Sequence, residues 1–176
     1  MEKFTLKNGV VVTLRLLEGA DYKEAMAFLR QFSTETIFTN QYPGQPDIEK
    51  KETMQMYEDE NNLFLGCFLN DGSLVGIISA YTLYPHHPWI GFSCDFGLSL
   101  LKTFYGQGLG TKLMQEMESW AKKRKLHTII GTTHTTNRRA IALYLKSGFT
   151  VDGYFRETAF IDGKWHDDYH FSKILK

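Results

Sequence analysis

The sequence predicts a mixed α/β protein with a single domain that spans residues 1–176. Strand-like segments come in pairs joined by Asn-Gly or Asp-Gly turns, and amphipathic segments of helical period separate them. No internal repeat or low-complexity linker interrupts this order. A chain of 176 residues with 43% hydrophobic content can bury one substantial core.

The first half of the chain predicts two hairpins around two helices. Residues 4–7 and 10–16 form the first hairpin, because Asn8-Gly9 favours the positive φ angles of a tight turn. Asp21 is placed to cap a helix with apolar residues on one side: Ala25, Phe28, Leu29 and Phe32. A second helix is expected over residues 47–57. The second hairpin joins residues 63–69 and 74–81 through Asn70-Asp71-Gly72.

The second half predicts a strand, a glycine cluster and the clearest helix. Apolar residues alternate over 89–100, as in a strand. In the helix they recur at spacings of four, four and three: Leu109, Leu113, Met117 and Trp120. A strand over 127–133, a helix over 137–147 and a closing hairpin over 150–161 and 164–175 complete the order.

Charge and composition restrict the function classes. Net charge is zero, yet residues 102–146 carry nine basic and two acidic side chains, and the remainder carries 11 basic and 18 acidic. This asymmetry suits an anionic ligand at the basic middle and a cationic one elsewhere; solvated helix faces are the alternative. The neutral pI of about 7.0 argues against nucleic acid.

The sequence predicts a cytoplasmic protein that binds no membrane. No apolar run approaches the ~18–20 residues that span a bilayer, and no signal-peptide segment opens the chain. Cys67 and Cys94 lie in apolar stretches, which indicates buried thiols and suits a reducing compartment.

The segment 98–114 is the most informative about chemistry. A predicted strand leads into three alternating glycines, Gly106, Gly108 and Gly110, which open the amphipathic helix. Glycine allows sharp turns and close approach of a ligand, and a helix N-terminus offers unpaired N–H groups. The spacing matches neither a dinucleotide fingerprint nor a P-loop. We therefore expect a phosphate site; a tight turn without a ligand is the alternative.

A second group of polar and small residues lies on the predicted helix 137–147. Spacings of three and four place Asn137, Ala140 and Tyr144 on one face. Ala140 leaves room for a ligand arm, and Asn137 can hydrogen-bond an amide. The Tyr144 phenol, with an ordinary pKa of ~10, suits protonation of a departing thiolate. A core tyrosine is the alternative.

Together, the two motifs resemble the GCN5-related N-acetyltransferase (GNAT) family. The motifs are Tyr105-Gly-Gln-Gly-Leu-Gly110 and Asn137-x-x-Ala140-x-x-x-Tyr144-x-x-x-Gly148-Phe149. The resemblance is close over about residues 89–160, and the opening and closing hairpins resemble the ribosomal-protein and amino-acid branch. It implies a central, mostly antiparallel sheet of six to seven strands, flanked by about four helices and splayed between strands 4 and 5.

The resemblance also implies how acetyl-CoA binds. The backbone of Leu98 and Leu100 would hydrogen-bond the pantetheine arm, with Asn137 and Ala140 beside it, and Tyr144 would protonate the thiolate. The amides of the loop would hold the pyrophosphate: Tyr105, Gly106, Gln107, Gly108, Leu109, Gly110 and Thr111. The family usually has Arg or Gln where Tyr105 stands, whereas the backbone cradle needs only the glycines.

The amine needs a base, and Asp95 is the only acidic residue on its predicted strand. A solvent-facing or salt-bridged carboxylate is the alternative, and Glu157, Asp167 and Asp168 are further candidates, for the base or for the substrate's positive charge. A proton-shuttle role for His134 stays open. No metal is expected, because His166 and His170 would lie ~13 Å apart on a strand.

The expected function is transfer of an acetyl group from acetyl-CoA directly to a primary amine of a small molecule, an amino acid or a protein N-terminus. Two other classes stay open: a non-catalytic coenzyme A-binding module, and a phosphate- or nucleotide-binding domain of unrelated chemistry. The sequence does not identify the acceptor. Exposed aromatic strand edges at Trp89 and Trp165 suggest a homodimer.

Overall fold

A computed structural model describes all 176 residues, with eight strands and four helices in the predicted order. Their bounds are β1 Glu2–Thr5, β2 Val11–Leu16, α1 Tyr22–Glu35, α2 Lys50–Glu58, β3 Asn62–Phe68, β4 Leu74–Leu83, β5 Ser93–Leu100, α3 Leu109–Lys123, β6 Thr128–His134, α4 Arg138–Lys146, β7 Thr150–Ile161 and β8 Lys164–Ile174.

The strands form one mixed sheet in the order β1-β2-β3-β4-β5-β6-β8-β7. The pairing of β5 with β6 is parallel and covers only Ser93–Asp95 on β5, whereas β1–β2, β2–β3, β3–β4, β6–β8 and β7–β8 are antiparallel. The mixed α/β class is confirmed. The resemblance implied six to seven strands, and the sheet has eight. The splay expected between strands 4 and 5 corresponds to β5 and β6, whose pairing ends at Asp95, because β1 adds one strand at the start of the count.

The chain divides into two compact units. The first contains Met1–Tyr81 and Gly97–Met117, and the second contains Thr82–Phe96 and Glu118–Lys176. Strand β5 and helix α3 each contribute residues to both units. The description of residues 1–176 as one domain stays a prediction.

In the first unit, α1 buries the face that its spacing predicts. Ala25, Phe28 and Phe32 are buried, and the rings of Phe28 and Phe32 stack at 5.8 Å. The predicted cap is wrong, however: Asp21 stands at the N-cap position without a side-chain cap. Its carboxylate is instead bound by both terminal nitrogens of Arg15 at 2.6 Å and by the Glu18 N–H at 2.9 Å.

In the second unit, an aromatic cluster joins α4 to the sheet. The ring of Tyr144 lies 5.1 Å from Phe96 and 5.4 Å from Phe171, measured between ring centroids. Gly131 makes room for this cluster, because a Cβ there would come within 2.4 Å of the Phe96 ring. Phe171 is fully buried.

The segment before β5 is a loop and not the predicted strand. The His87 N–H donates to Tyr84 O and the Gly91 N–H donates to His87 O, so these amides serve turns and cannot serve a ladder. Trp89 therefore lies on an exposed loop. Trp165 is exposed on β8, which lies between β6 and β7. At Trp165, β8 pairs with Phe160 of β7 but not with β6, whose pairing with β8 ends at Asp168. The prediction of an exposed strand edge is therefore wrong for Trp89 alone.

The closing hairpin is long and irregular. The register of β7 with β8 shifts between Val151 and Gly153 and again between Phe155 and Ala159. Within the second shift, Glu157 has a φ of +55°. Local irregularities of this kind bend a strand and increase its twist.

None of the helices combines the length and the hydrophobicity that crossing a bilayer demands. Cys67 and Cys94 are both free and buried, which confirms the predicted state of the thiols.

Candidate active site

The glycine loop lies in the first unit, between a short 3-10 helix, Lys102–Phe104, and α3. Gly106 and Gly108 have φ angles of +73° and +89°, which side chains rarely adopt. Gly110 lies in the first turn of α3 without a positive φ. The Lys112 N–H donates to Gly108 O at 3.1 Å and closes that turn.

This geometry leaves backbone donors available at the start of α3. The N–H groups of residues 109–111 precede the first intrahelical bond and have no partner within the helix. A Cβ added to Gly106 would meet nothing within 4 Å, and one added to Gly108 would meet only the Phe4 ring, at 3.8 Å. The two glycines are therefore required by their conformation, and the loop is open to an anion at the positive end of the helix dipole.

Contacts that the sequence does not indicate hold this loop. Gln107 accepts hydrogen bonds from the β1–β2 turn: its carbonyl from the Lys7 N–H at 3.3 Å, and its Oε1 from the Asn8 N–H at 3.1 Å. At the other end, the Lys102 N–H donates to Glu35 Oε2 at 2.7 Å. Separations of 67 and 99 residues leave no local sequence signal for either contact.

Leu98 and Leu100 lie on the part of β5 that belongs to the first unit. Leu98 is half-buried and Leu100 is buried. A Cβ on Gly76 would come within 2.3 Å of Leu100 Cδ2, and the Leu101 N–H donates to Val75 O at 3.1 Å. The end of β5 is therefore tightly packed against β4. Backbone contacts from Leu98 and Leu100 to pantetheine stay a prediction.

Tyr144 in the second unit has a firmly held phenol. Its ring contacts Phe96, Phe149 and Phe171, and only 5% of the residue is exposed. Burial raises the pKa of Tyr144, and the charge of Asp95 raises it further. The phenol therefore keeps its proton throughout the physiological range.

Asn137 occupies the N-cap position of α4 and not a position on its face, because the helix begins at Arg138. Its Oδ1 accepts from the Ala140 N–H at 3.3 Å, and its Nδ2 donates to Thr133 Oγ1 at 2.9 Å. The side chain thus fixes the start of the helix that carries Tyr144. Nδ2 has a second hydrogen, which leaves the predicted contact with pantetheine as a hypothesis.

Asp95 lies on β5 in the second unit and is exposed. Even so, burial of its carboxyl by surrounding protein atoms raises its pKa, and this effect outweighs the Phe96 N–H and the charge of His170, which both lower it. The hydrogen bond from Phe96 N to Asp95 Oδ1 is 2.9 Å long. A carboxylate with a raised pKa is a better base than an ordinary aspartate.

The other acidic candidates have local partners. Asp167 accepts hydrogen bonds from the Tyr154 hydroxyl and from the Glu157 N–H, and the Tyr154 bond is the main cause of its lowered pKa. Asp168 Oδ1 lies 2.8 Å from His134 Nδ1, an ion pair when His134 is protonated. These contacts make both aspartates weaker candidates for the base than Asp95.

Comparison with known proteins decides the family. The sequence profile of the Acetyltransferase (GNAT) family matches residues 28–149, more than half of the chain and both motifs. The chain belongs to the acetyltransferase (GNAT) family. This confirms the resemblance, and it makes the protein an N-acetyltransferase.

This acetyltransferase is similar to three further proteins. YdaF of Bacillus subtilis (strain 168), whose name assigns it to the ribosomal N-acetyltransferases, is 25% identical over 181 residues, which cover 98% of this chain and 96% of YdaF. The L-amino acid N-acetyltransferase AaaT of Escherichia coli (strain K12) is 25% identical over 108 residues, or 59% of this chain and 64% of AaaT. A GNAT acetyltransferase structure from Streptococcus pneumoniae has a TM-score of 0.85 at 28% identity, covering 93% of this chain and 99% of that one.

Proposed function

We propose that this protein transfers the acetyl group of acetyl-CoA directly to a primary amine of a small molecule, an amino acid or a protein N-terminus. The observation that carries the proposal is the loop at Gly106 and Gly108, whose positive φ angles lead straight into the N-terminus of α3. Family membership supports the same donor. The opening turn of α3 suits the diphosphate of coenzyme A.

In this proposal the backbone amides of the loop bind the diphosphate: Gly106, Gln107, Gly108, Leu109, Gly110 and Thr111. The Tyr105 N–H is left out of this set, because it donates to Lys102 O at 3.0 Å. Leu98 and Leu100 bind the pantetheine arm through their backbone, and Asn137 and Ala140 line it. Family membership is the reason for assigning these residues to a single cofactor. No metal takes part in the proposed reaction.

The proposed chemistry uses one base and one acid. Asp95 removes a proton from the acceptor's ammonium, directly or through water, and the neutral nitrogen attacks the thioester carbonyl carbon. The C–S bond breaks as the new C–N bond is completed. Tyr144 donates its proton to the leaving sulfur, which departs as the thiol. The acylated nitrogen loses its second proton to solvent, and solvent returns a proton to the Tyr144 phenolate. The raised pKa of Asp95 makes it a stronger base, and the raised pKa of Tyr144 keeps the phenol protonated until the sulfur leaves.

The acceptor is proposed to be cationic before it reacts. Residues outside 102–146 carry 18 acidic and 11 basic side chains, which favours a positively charged partner. A location in the cytoplasm, without nucleic acid or membrane partners, stays part of this proposal, and two buried free thiols suit it. A homodimer is also part of this proposal, without a proposed interface.

A turnover assay across amines tests the proposal. Purified protein and acetyl-CoA are incubated with amino acids, peptides with free N-termini and polyamines, and both thiol release and the mass of each acceptor are measured. We expect the amount of released thiol to match the amount of acetylated product for one class of amine. Coenzyme A binding without turnover on any amine would indicate a non-catalytic module instead.

A further inference from the structure

The glycine loop is held at both ends by parts of the chain that are remote in sequence. Glu35 is the last residue of α1 and accepts from the Lys102 N–H at the start of the loop. Gln107 accepts from Lys7 and Asn8 in the β1–β2 turn. We name these contacts the loop brace. All of them lie within the first unit.

The Glu35 contact is well oriented. Gln31 Nε2 donates to Glu35 Oε1 at 3.0 Å, which leaves Oε2 for the Lys102 N–H at 2.7 Å. Lys102 begins a 3-10 helix, where the first N–H groups have no intrahelical partner. A carboxylate is a strong acceptor for such a group and favours the positive end of a helix.

The Gln107 contact ties the loop to a rigid turn. Gly9 has a φ of +86°, the Leu6 N–H donates to Val10 O at 2.8 Å, and the Val10 N–H donates to Asn8 Oδ1 at 3.1 Å. The hairpin is joined to α3 as well, since Lys112 Nζ lies 2.6 Å from Glu2 Oε1. The carboxamide oxygen of Gln107 therefore serves the protein's own backbone.

A glycine loop without such contacts would bind poorly. Fixing a residue costs conformational entropy, and glycine loses more freedom than other residues. Affinity falls in proportion to the fraction of molecules that hold the binding conformation. Contacts at both ends of the loop raise that fraction before acetyl-CoA arrives.

We propose that Glu35 and Gln107 are positioning residues that hold the diphosphate loop in its binding conformation through their side-chain oxygens. This inference rests on the proposed function, because it presumes that the loop binds acetyl-CoA. Glu35 thereby connects α1 to the cofactor loop, and Gln107 connects the N-terminal hairpin to it.

Two variants remove the accepting oxygens. In Glu35→Leu and Gln107→Met, we expect the Kd for coenzyme A, measured by calorimetry, and the KM for acetyl-CoA to rise about five- to tenfold, as loss of one exposed hydrogen bond allows. The kcat at saturating acetyl-CoA should change less than about twofold, since the brace does not act on the reacting atoms.

Conservative and matched variants distinguish a loss of loop positioning from a loss of negative charge or a loss of the folded state. Glu35→Gln keeps an accepting oxygen for Lys102 and should bind coenzyme A like the wild type. Glu24→Leu removes an exposed carboxylate from the same helix and should leave the Kd unchanged. Thermal unfolding of each variant establishes that it is folded.

The outcomes are distinguishable. Wild-type binding together with an unchanged Kd in Glu35→Leu and Gln107→Met would overturn the loop brace alone, and so would lower thermal stability at unchanged Kd. A wild-type protein that does not bind coenzyme A would overturn the brace and the proposed function together.

Discussion

Asp95 and Tyr144 show one physical cause with two chemical consequences. Burial is the largest contribution to the raised pKa of each residue. For the carboxylate, the shift means a stronger base nearer to neutral pH. For the phenol, it means a proton that is always available. Perturbed pKa values of this kind are typical of active sites.

Asp95→Asn tests the base. The variant keeps the oxygen that accepts from Phe96 N and loses the basic group, so kcat/KM should fall about 10²- to 10⁴-fold. In the wild type, kcat/KM should decline toward acid at a pH above the ordinary aspartate value of ~3.9. A pH profile of both proteins measures this. An unchanged rate in the variant would remove Asp95 from the mechanism.

The same variant should be more stable than the wild type at neutral pH. A carboxyl whose pKa is raised in the folded state contributes stability below its unfolded pKa and loses it as pH rises through the folded value. Removing the charge therefore helps at pH 7 and not below about pH 4. Thermal unfolding at both pH values provides the measurement.

Tyr144→Phe tests the acid. The ring contacts with Phe96, Phe149 and Phe171 remain, so the fold should be kept. We expect kcat to fall about 10²-fold or more while the Kd for coenzyme A changes little, because only proton transfer is lost. Single-turnover kinetics and calorimetry separate the two quantities. Equal loss of both would indicate a binding residue.

At the level of elements, the glycine loop depends on backbone conformation. Gly108→Ala puts a side chain at a φ of +89°, which costs about 1–2 kcal/mol or forces the loop to move. We expect the Kd for coenzyme A to rise about tenfold or more. Gly72→Ala is the matched control, since Gly72 has a φ of +87° in the β3–β4 turn. Equal binding by both variants would contradict the cradle.

Helix α4 depends on its cap. Asn137→Ala removes the acceptor for the Ala140 N–H and should lower the free energy of unfolding by about 0.5–2 kcal/mol. Asn137→Asp keeps that acceptor and loses the Nδ2 donor. If Nδ2 binds pantetheine, both variants raise the KM for acetyl-CoA, while only Ala lowers stability. Urea unfolding and steady-state kinetics test the two effects separately.

Local patterns predicted most elements, and competing hydrogen bonds explain what they missed. The spacing of Leu109, Leu113 and Met117 locates α3, and the Asn-Gly and Asp-Gly turns locate the hairpins. The predicted start of β5 at residue 89 was wrong because amides before Ser93 form hydrogen bonds within turns. The cap at Asp21 was wrong because Arg15 binds its carboxylate. The patterns of apolar and turn residues do not show which of several nearby partners a polar group will bind.

The site residues likewise divide into those that a sequence motif reveals and those that only the fold reveals. The glycines of the loop and the order of Asn137, Ala140 and Tyr144 were readable because adjacent residues carry the motif. Glu35 was not, since its contact with Lys102 spans 67 residues. A helix-terminal glutamate has many equivalent surface uses, and only the fold selects this one.

At the level of the whole molecule, Arg15–Asp21 is the ion pair with the greatest effect expected on stability. Asp21 is buried, and Arg15 lies 3.9 Å above the Phe68 ring. Arg15→Met leaves a buried carboxylate unpaired and should cost about 3 kcal/mol at neutral pH. Arg30→Met is the control, because its pair with Asp47 is exposed and worth little.

This ion pair also predicts acid sensitivity. The hydrogen bond with Arg15 is the largest cause of the lowered pKa of Asp21. Its contribution is present above the unfolded pKa of ~3.9 and is lost as pH falls through the folded value. The difference between wild type and Arg15→Met in urea unfolding should therefore shrink below about pH 4. A constant difference would rule out ionisation as its origin.

The irregular path of β7, the edge strand at one side of the sheet, protects that edge. A twelve-residue outermost strand with exposed Val151, Tyr154 and Phe160 would, if straight, offer an unbroken row of backbone donors and acceptors to a neighbouring molecule. The two register shifts break that row, and the positive φ at Glu157 turns the chain aside. Fibrous self-association through this side of the sheet is thereby disfavoured.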